Sequence, residues 1–227
     1  MESSGRLRLS LEDLRPATLD GIVEQAGAIA RLDRIARAVT AGRLLPPNLL
    51  FHGPPGVGKT TAARAYARAI LGEAWEFSFH QLDASDDRSL EVLRGRIVPQ
   101  TRTAPIRNAP LRIFFFDEAD ALTEEEQGAL RPALEGGDGT TVMILACNRL
   151  DRIAAPIQSR CTVLEFGPVS EAGIRRIVAD AIPKLGIRLE DATIQSVVTR
   201  SNHSPREAIR LLLEEAAFIS LDSTEPT

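Results

Sequence analysis

The stretch Gly53-Pro54-Pro55-Gly56-Val57-Gly58-Lys59-Thr60 decides the fold class of this chain. It has the spacing G-x-x-x-x-G-K-[ST] and stands between an apolar run, 48–51, and an Ala-rich stretch, 59–72. Run, loop and stretch predict a strand, a glycine-rich turn and a helix. The glycines let backbone N–H groups turn inward around phosphate oxygens, and the helix N-terminus adds positive potential. The segment therefore predicts a phosphate-binding loop.

Individual residues of this loop suit parts of a nucleoside triphosphate. Lys59 would reach the outer phosphates, and the Thr60 hydroxyl would ligate Mg²⁺. The only other lysine is Lys184, so an isolated lysine inside a glycine-rich loop points to a specific role. We expect ATP to contact the loop and the start of its helix, namely Gly53, Pro54, Pro55, Gly56, Val57, Gly58, Lys59, Thr60 and Thr61.

The rest of the chain alternates short apolar runs with helical stretches. Alternation of this kind predicts an α/β fold built on a parallel sheet. Ser204, Pro205 and Glu207 form a marked helix start, with a cap, a first-turn proline and a capping-box acid. We predict strands near 77–82, 111–116, 141–146 and 162–166; helices at 19–40, from Arg88, from Thr123, and at 170–183, 189–200 and 205–219; and two domains, 1–167 (α/β) and 168–227 (all-helical).

Polar residues follow two predicted strands at the sheet edge where α/β proteins bind ligands. Asp117 and Glu118 come directly after the aromatic run 111–116. Asp117 suits a magnesium ligand, and Glu118 could polarise a water for in-line attack on a γ-phosphate. Asn148 follows the next strand, where its amide could hold that water or touch the γ-phosphate.

The same strand end imitates a guanine-reading box, because residues 148–151 read Asn-Arg-Leu-Asp. Guanine-nucleotide switches usually carry Asp-x-x-Gly after the magnesium strand. Here Asp120 stands where that glycine would be, so we expect adenine.

Composition limits the remaining possibilities. The 227 residues are 44% hydrophobic and 26% charged, typical of a globular chain, and the net charge of −4 offers no global attraction to nucleic acid. Cys147 and Cys161 cannot form a four-cysteine zinc site. Neither a signal peptide nor an apolar run of about 20 residues is present, which predicts an intracellular protein without membrane contact, in the cytoplasm or nucleoid of a prokaryote or the nucleus of a eukaryote.

At this point the chain resembles an AAA+ ATPase and, within that superfamily, the small subunit of the replication factor C clamp loaders. The resemblance covers roughly 14–220. It rests on the loop and carboxylate motifs together with Arg15-Pro16, Leu19-Asp20, Ile22-Val23, Leu82-Asp83-Ala84-Ser85-Asp86, Asp117-Glu118-Ala119-Asp120-Ala121-Leu122-Thr123, Gln127, Ala129-Leu130-Arg131, Cys147-Asn148 and Pro156-Ile157-Gln158-Ser159-Arg160-Cys161.

The resemblance implies roles that spacing does not show. Arg160, in the Ser-Arg-Cys element, would be an arginine finger that stabilises charge on ATP bound to a neighbouring subunit. Asn148 would be the sensor 1 residue, and Arg206 the sensor 2 arginine that reaches the γ-phosphate of its own site. Val23 would join the cofactor-binding residues. Glu118, Asn148, Arg160 and Arg206 are thus the expected catalytic residues, with Thr60 and Asp117 at Mg²⁺.

A local basic segment is the candidate for DNA contact. Residues 88–107 hold five arginines against one glutamate, and Arg88 and Arg96 lie opposite the apolar face of the predicted helix. In the resembled loaders this helix lines a central channel and contacts the DNA backbone. We therefore expect Arg88, Arg94 and Arg96 to bind primer–template DNA, and the partners to be other loader subunits and a sliding clamp.

Three departures from the family pattern leave alternatives open. His203-Ser204-Pro205-Arg206 replaces the usual G-D-x-R, Pro132 follows Arg131 in place of a basic residue, and the sequence stops before the family's third, collar-forming domain. The first alternative is another DNA-linked AAA+ remodelling ATPase that acts without a clamp. The second is a structural subunit that binds nucleotide without hydrolysing it.

Overall fold

A computed structural model describes residues 10–84, 95, 98–100, 105, 109–135 and 139–222. Within them, five strands form one sheet in the order β2-β3-β4-β1-β5, and every neighbouring pair is parallel. The predicted α/β fold with a parallel sheet is confirmed. The strands are β1 (Leu49–His52), β2 (Phe79–Asp83), β3 (Arg112–Asp117), β4 (Thr141–Cys147) and β5 (Thr162–Glu165).

Helices cover both faces of the sheet and make up the C-terminal part of the chain. They are α1 (Ala26–Thr40), α2 (Lys59–Leu71), α3 (Trp75–Ser78), α4 (Glu124–Glu135), α5 (Ala155–Gln158), α6 (Glu171–Leu185), α7 (Asp191–Arg200) and α8 (Pro205–Asp222), with one helical turn at Val98–Gln100. Short 3-10 turns lie at Leu19–Gly21, Gly72–Ala74, Ala119–Ala121 and Leu150–Arg152.

The core divides into two layers on the sheet and a third cluster among the C-terminal helices. One layer joins α1 and α2 to one face, and the other joins α4 and α5 to the opposite face. Because β3 and β4 are covered on both sides, they are apolar almost throughout, as buried parallel strands must be. The third cluster joins α6, α7 and α8, hereafter the helical part, and includes Leu14 from the N-terminal segment, residues 10–25.

Strand β1 is second from the β5 edge of the sheet and determines where the site forms. It pairs with β4 on one side and β5 on the other, through Leu49↔Ile144 and Leu49↔Thr162. The loop 53–58 therefore leaves the sheet beside the end of β4, and β3 lies next to β4 on its other side. Asp117, the last residue of β3, and Asn148, which follows β4, are brought to the same edge of the sheet.

One predicted element is wrong, and the other elements that lie within the described residues agree to within a few residues. The helix expected at 19–40 is a 3-10 turn followed by α1, with a break at residues 22–25. Glu24 interrupts the helix because its φ is +59°, a left-handed value that no helix residue adopts. The strand near 77–82 begins at Phe79, because 75–78 are helical. The helix from Arg88 lies outside the described residues.

The C-terminal region is all-helical, as expected, and joins the sheet through residues 167–170, hereafter the linker. The domain boundary at 167/168 remains a prediction. In the described part of the chain, no helix has the length and apolarity needed to cross a bilayer.

Candidate functional site

Lys59 is held at the centre of the phosphate-binding loop. Its ammonium donates to the carbonyl oxygens of Gly53 (2.6 Å) and Pro54 (2.9 Å) and to Asn148 Oδ1 (2.8 Å). The side chain is buried, and burial lowers its pKa from the ordinary value, while Asp117 acts in the opposite direction. These contacts bring together the lysine and the strand-end amide that the sequence placed 89 residues apart.

The expected magnesium ligands also meet. Thr60 Oγ1 donates to Asp117 Oδ2 at 2.8 Å, so a hydroxyl and a carboxylate oxygen converge beside the loop. Hard oxygen ligands of this kind are those that Mg²⁺ prefers, and the pair fits such an ion. Glu118 is exposed next to them with φ +54°, and its backbone N–H donates to Asp117 Oδ1 at 3.2 Å. A left-handed glutamate at the end of a buried strand is a strained residue of the kind found at functional sites.

Asp120 fixes the loop that carries Asn148. Its carboxylate accepts from the backbone N–H groups of Asn148 (3.2 Å) and Arg149 (3.1 Å), where β4 ends. Asp120 therefore has a structural role of its own at the position where a guanine-nucleotide switch has glycine. It is a positioning residue for Asn148 that sequence spacing alone did not identify.

The geometry also argues against a guanine-binding role for residues 148–151, whose sequence resembles a guanine-reading box. Asp151, which would contact guanine, instead forms an exposed ion pair with Arg149 at 2.6 Å. Neither residue lines the cleft described below. These two residues are therefore not placed to recognise guanine, and adenine remains a prediction.

Arg206 lies on the opposite wall of the loop. Its backbone N–H donates to the Gly56 carbonyl at 3.4 Å, and a Cβ added to Gly56 would overlap the Ser204 hydroxyl. Gly56 has φ +79°, so glycine is needed here both for the backbone and for the close approach. The start of α8 is thereby held against the phosphate-binding loop.

Arg15 adds a third cation that sequence reasoning assigned no role. Its guanidinium donates to Thr61 Oγ1 at 3.0 Å and to Glu12 at 2.7 Å. Burial lowers the pKa of Arg15, and the nearby positive charge of Arg206 lowers it further. The dipeptide Arg15-Pro16 stood out only as part of the family resemblance, because nothing in its spacing from the loop predicts the contact.

These groups line one cleft between the sheet, the N-terminal segment and the helical part. It encloses about 940 Å³ of non-protein space, part of it open solvent. Three cations converge there with an apolar wall, a combination that suits the phosphates and base of a nucleotide. Its lining includes Leu14, Arg15, Gly21, Ile22, Val23, residues 55–61, Asp117, Glu118, Asn148, Ile177, Pro205, Arg206 and Ile209.

Arg160 is the expected catalytic residue that lies elsewhere. Its guanidinium bonds to Glu135 Oε1 (2.6 and 2.9 Å) and to the Pro156 carbonyl (2.7 Å), on the exposed surface after α5. It is not among the residues that line the cleft. Of the cofactor candidates, Val23 and residues 55–61 line the cleft, whereas Gly53 and Pro54 contact Lys59. Arg88, Arg94 and Arg96 lie outside the described residues.

The sheet, the loop and the two strand-end motifs define a P-loop nucleotide-binding protein. Residues 49–169 match the family described as "ATPase family associated with various cellular activities (AAA)". The match covers more than half of the chain, so the chain belongs to this family.

Within the family, its relatives include proteins named replication factor C small subunit. The chain is 41% identical over 208 residues to "Replication factor C small subunit" of Archaeoglobus fulgidus, covering 92% of this chain and 64% of that protein. It is 39% identical over 213 residues to the protein of the same name from Methanocella arvoryzae, covering 94% and 64%. These matches confirm the resemblance to replication factor C small subunits, although the chain spans just under two thirds of their length.

A solved structure shares the fold at lower identity. The Thermotoga maritima RuvB Holliday junction branch migration motor superposes with a TM-score of 0.76 at 23% identity, covering 92% of this chain and 67% of that one. The likeness supports a parallel sheet followed by helices, and nothing about function.

Proposed function

We propose that the chain binds and hydrolyses MgATP in the cleft. The observation that carries this proposal is the convergence of two hydrogen-bonded pairs, Lys59 with Asn148 and Thr60 with Asp117, each at 2.8 Å. Arg15 and Arg206 line the facing walls of the same cleft. Loop residues and Lys59 would hold the phosphates, and Val23 and Ile22 would line the base. Thr60 and Asp117 would hold Mg²⁺, which when bound neutralises phosphate charge.

Two further side chains suit the chemistry of hydrolysis. Glu118 projects from a strained turn beside Asp117, where its carboxylate would accept the proton of the attacking water. Asn148, fixed by Asp120, would orient that water or the γ-phosphate, and Lys59 already contacts its amide oxygen. Arg206 would place positive charge near the γ-phosphate from the helical part.

Arg160 would serve the site of a neighbouring subunit. Its guanidinium lies outside the cleft of its own chain, on an exposed surface held by Glu135. A rigid, permanently charged group on an outer face is suited to completing a site across an interface. Each cleft would then require a partner that supplies Arg160, so hydrolysis would depend on assembly.

The assembly we propose is a clamp loader that places a sliding clamp on primed DNA during replication. The support is the 37–41% identity to proteins named replication factor C small subunit. Arg88, Arg94 and Arg96 would contact the DNA backbone, and the protein would act where chromosomal DNA is replicated. The two domains would be 1–167 and 168–227.

The test is steady-state ATP hydrolysis, with and without primed DNA and clamp, for the wild type, Arg160→Ala, Glu118→Gln and a mixture of the two variants. Arg160→Ala alone should lose about a thousandfold in turnover, since an arginine finger contributes about 10³–10⁵. Glu118→Gln alone should lose about a hundredfold or more, since general base catalysis contributes about 10²–10⁴. The mixture should recover activity, because an Arg160→Ala chain retains Glu118 and receives Arg160 from its neighbour.

Matched controls use residues that share chemistry but not the site. Arg152→Ala removes an exposed arginine near the same surface and should leave turnover unchanged, and Lys184→Ala is the lysine control for loss of binding in Lys59→Ala. An active Arg160→Ala variant would refute action across an interface. Turnover that neither DNA, clamp nor partner subunits raise would refute the clamp-loader assignment while leaving ATPase activity intact.

A further inference from the structure

The linker between β5 and α6 is fixed by side chains from distant parts of the chain. Gln25 forms two hydrogen bonds with Gly167: its Nε2 donates to the carbonyl (2.8 Å), and its Oε1 accepts from the N–H (3.1 Å). Glu24 accepts from the backbone N–H (2.7 Å) and the hydroxyl (2.6 Å) of Ser170. His203 is the third residue that contacts the linker, because its Nδ1 lies 2.9 Å from the Val169 carbonyl oxygen.

Ser170 is also the N-cap of α6, so the contact with Glu24 reaches the helical part directly. The Ser170 hydroxyl accepts from the Gly173 N–H at 3.1 Å while it donates to Glu24. A carboxylate at a helix N-terminus is further stabilised by the positive end of the helix. Gly173 is required here, because a Cβ at that position would crowd the Glu24 carboxylate.

Two of these residues are held in backbone conformations that favour glycine. Glu24 has φ +59° and His203 φ +64°, and Asn202 before it has φ +46°. Such conformations persist in non-glycine residues only where the surroundings fix them. At position 203 the histidine gains a side-chain contact with the linker in a backbone conformation that is unfavourable for a residue with a Cβ.

Both strained residues adjoin the walls of the cleft. Ile22 and Val23, which line it, come directly before Glu24, and Pro205 and Arg206, which also line it, come two and three residues after His203. The Arg206 backbone reaches Gly56 from this point. Any change in the linker contacts would therefore move Arg206 relative to the phosphate-binding loop.

We propose that Glu24 and His203 are positioning residues that hold the helical part closed over the nucleotide cleft. Glu24 does so through its hydrogen bonds to Ser170, and His203 through its contact with Val169. This proposal rests on nucleotide binding at that cleft. Neither residue lines the cleft. Each acts through the angle at which α8 presents Arg206. Loss of either side should open the cleft and weaken ATP binding, while the phosphate-binding loop itself stays intact.

The test uses Glu24→Gly, Glu24→Gln and His203→Gly. Glycine suits the left-handed backbone at both positions, so these variants lose the side-chain bond without risking the fold. Two quantities are measured: the Kd for MgATP, and amide hydrogen exchange at residues 167–173 and 204–209 in the protein without nucleotide. We expect Glu24→Gly and His203→Gly to weaken ATP binding about threefold to tenfold and to speed exchange in both segments, as expected for a lost hydrogen bond to a charged or polar group.

Glu24→Gln, which keeps one acceptor oxygen, should recover part of both effects. Glu171→Ala is the matched control, since it removes an exposed carboxylate from the same first turn of α6 without touching the linker. A Glu24→Gly variant with wild-type affinity, or with a loss no larger than that of Glu171→Ala, would overturn the proposal. If the wild type fails to bind MgATP, the proposed function fails. Unchanged hydrogen exchange in Glu24→Gly would separately refute the role of Glu24 in holding the linker.

Discussion

The two walls of the cleft are assembled by contacts of very different range. On the phosphate-binding loop, Lys59 bonds to carbonyl groups five and six residues before it in the chain. On the linker side, Gln25 and Glu24 bond to residues 142 and 146 positions away. The carbonyl contacts that hold Lys59 in the loop are local, although Lys59 also reaches Asn148, 89 residues away. The contacts of Gln25 and Glu24 with the linker form only after distant segments have folded together. The comparison teaches that the binding loop and the geometry of its cover can be altered separately.

The largest effect should come where the two walls meet, at Gly56. Gly56→Ala forces a methyl group into the Ser204 hydroxyl and places alanine at φ +79°. Overpacking costs about 1–3 kcal/mol and positive φ about 1 kcal/mol, so ATP affinity should fall at least about tenfold. Isothermal titration with MgATP measures it.

Gly128→Ala is the control for this substitution. Gly128 lies inside α4, where an added Cβ meets nothing within 4 Å, so alanine should raise the melting temperature and leave ATP affinity unchanged. Equal affinity in Gly56→Ala and wild type would mean that the helical wall is not held against the loop.

A smaller effect should distinguish the influence of the linker on ATP affinity from a general loss of folding stability. Gln25 and Gln127 are 5% and 4% exposed, and both bond to backbone groups. Gln25→Ala and Gln127→Ala should each lower the free energy of unfolding by about 2 kcal/mol, because each leaves partly buried backbone groups unpaired. Only Gln25→Ala should also weaken ATP binding, by about threefold to fivefold.

Urea unfolding and MgATP titration of the same preparations test this pair. A parallel loss of affinity in Gln127→Ala would show that general destabilisation, rather than the linker, accounts for the change.

The smallest effect should appear in the pH dependence of stability. Bonds from the hydroxyl and backbone N–H of Ser170 lower the pKa of Glu24 below its ordinary value of 4.5. A carboxyl group whose pKa is lowered by folding stabilises the protein above the unfolded pKa, and that contribution is lost as the pH falls through the folded pKa.

Thermal unfolding of the wild type and Glu24→Gln should therefore show a constant difference in melting temperature between pH 6 and 8, in favour of the wild type. The difference should narrow below about pH 4.5. Comparing the two melting temperatures at each pH cancels the contribution of the other carboxylates, which both proteins share. A gap that widens on acidification contradicts the ionised contact with Ser170.

The same contrast of range explains what the sequence could predict. The loop 53–60 and the carboxylates at 117–118 are contiguous motifs beside apolar runs, so their element and chemistry follow from short windows. The helix break at 22–25 does not follow, because Glu24 fits a helical pattern and its left-handed backbone depends on Ser170. Likewise, Ser204 predicted the start of α8 correctly, whereas the contact of His203 with Val169 depends on where α6 begins.

Asp120 and Arg15 show the limit for site residues. Asp120 lies in a recognisable acidic run, yet its bonds to residues 148 and 149 require the pairing of β3 beside β4. Arg15 contacts Thr61 across 46 residues, and no period or spacing connects them. Short stretches of sequence identify residues whose role depends on their immediate neighbours in the chain. They miss residues whose role depends on contacts with distant segments.

The place of β1 between β4 and β5 also has a consequence for how the protein is made. During synthesis the chain emerges from its N-terminus, but within the described part of the chain the partners of β1 are residues 144–147 and 162–165. At about 5–20 residues per second, the strand that carries the binding loop waits about 5–20 s for its first partner. Throughout that interval Leu49, Leu50 and Phe51 have no sheet to enter, so the nascent chain should engage ribosome-associated chaperones until β4 and then β5 have emerged.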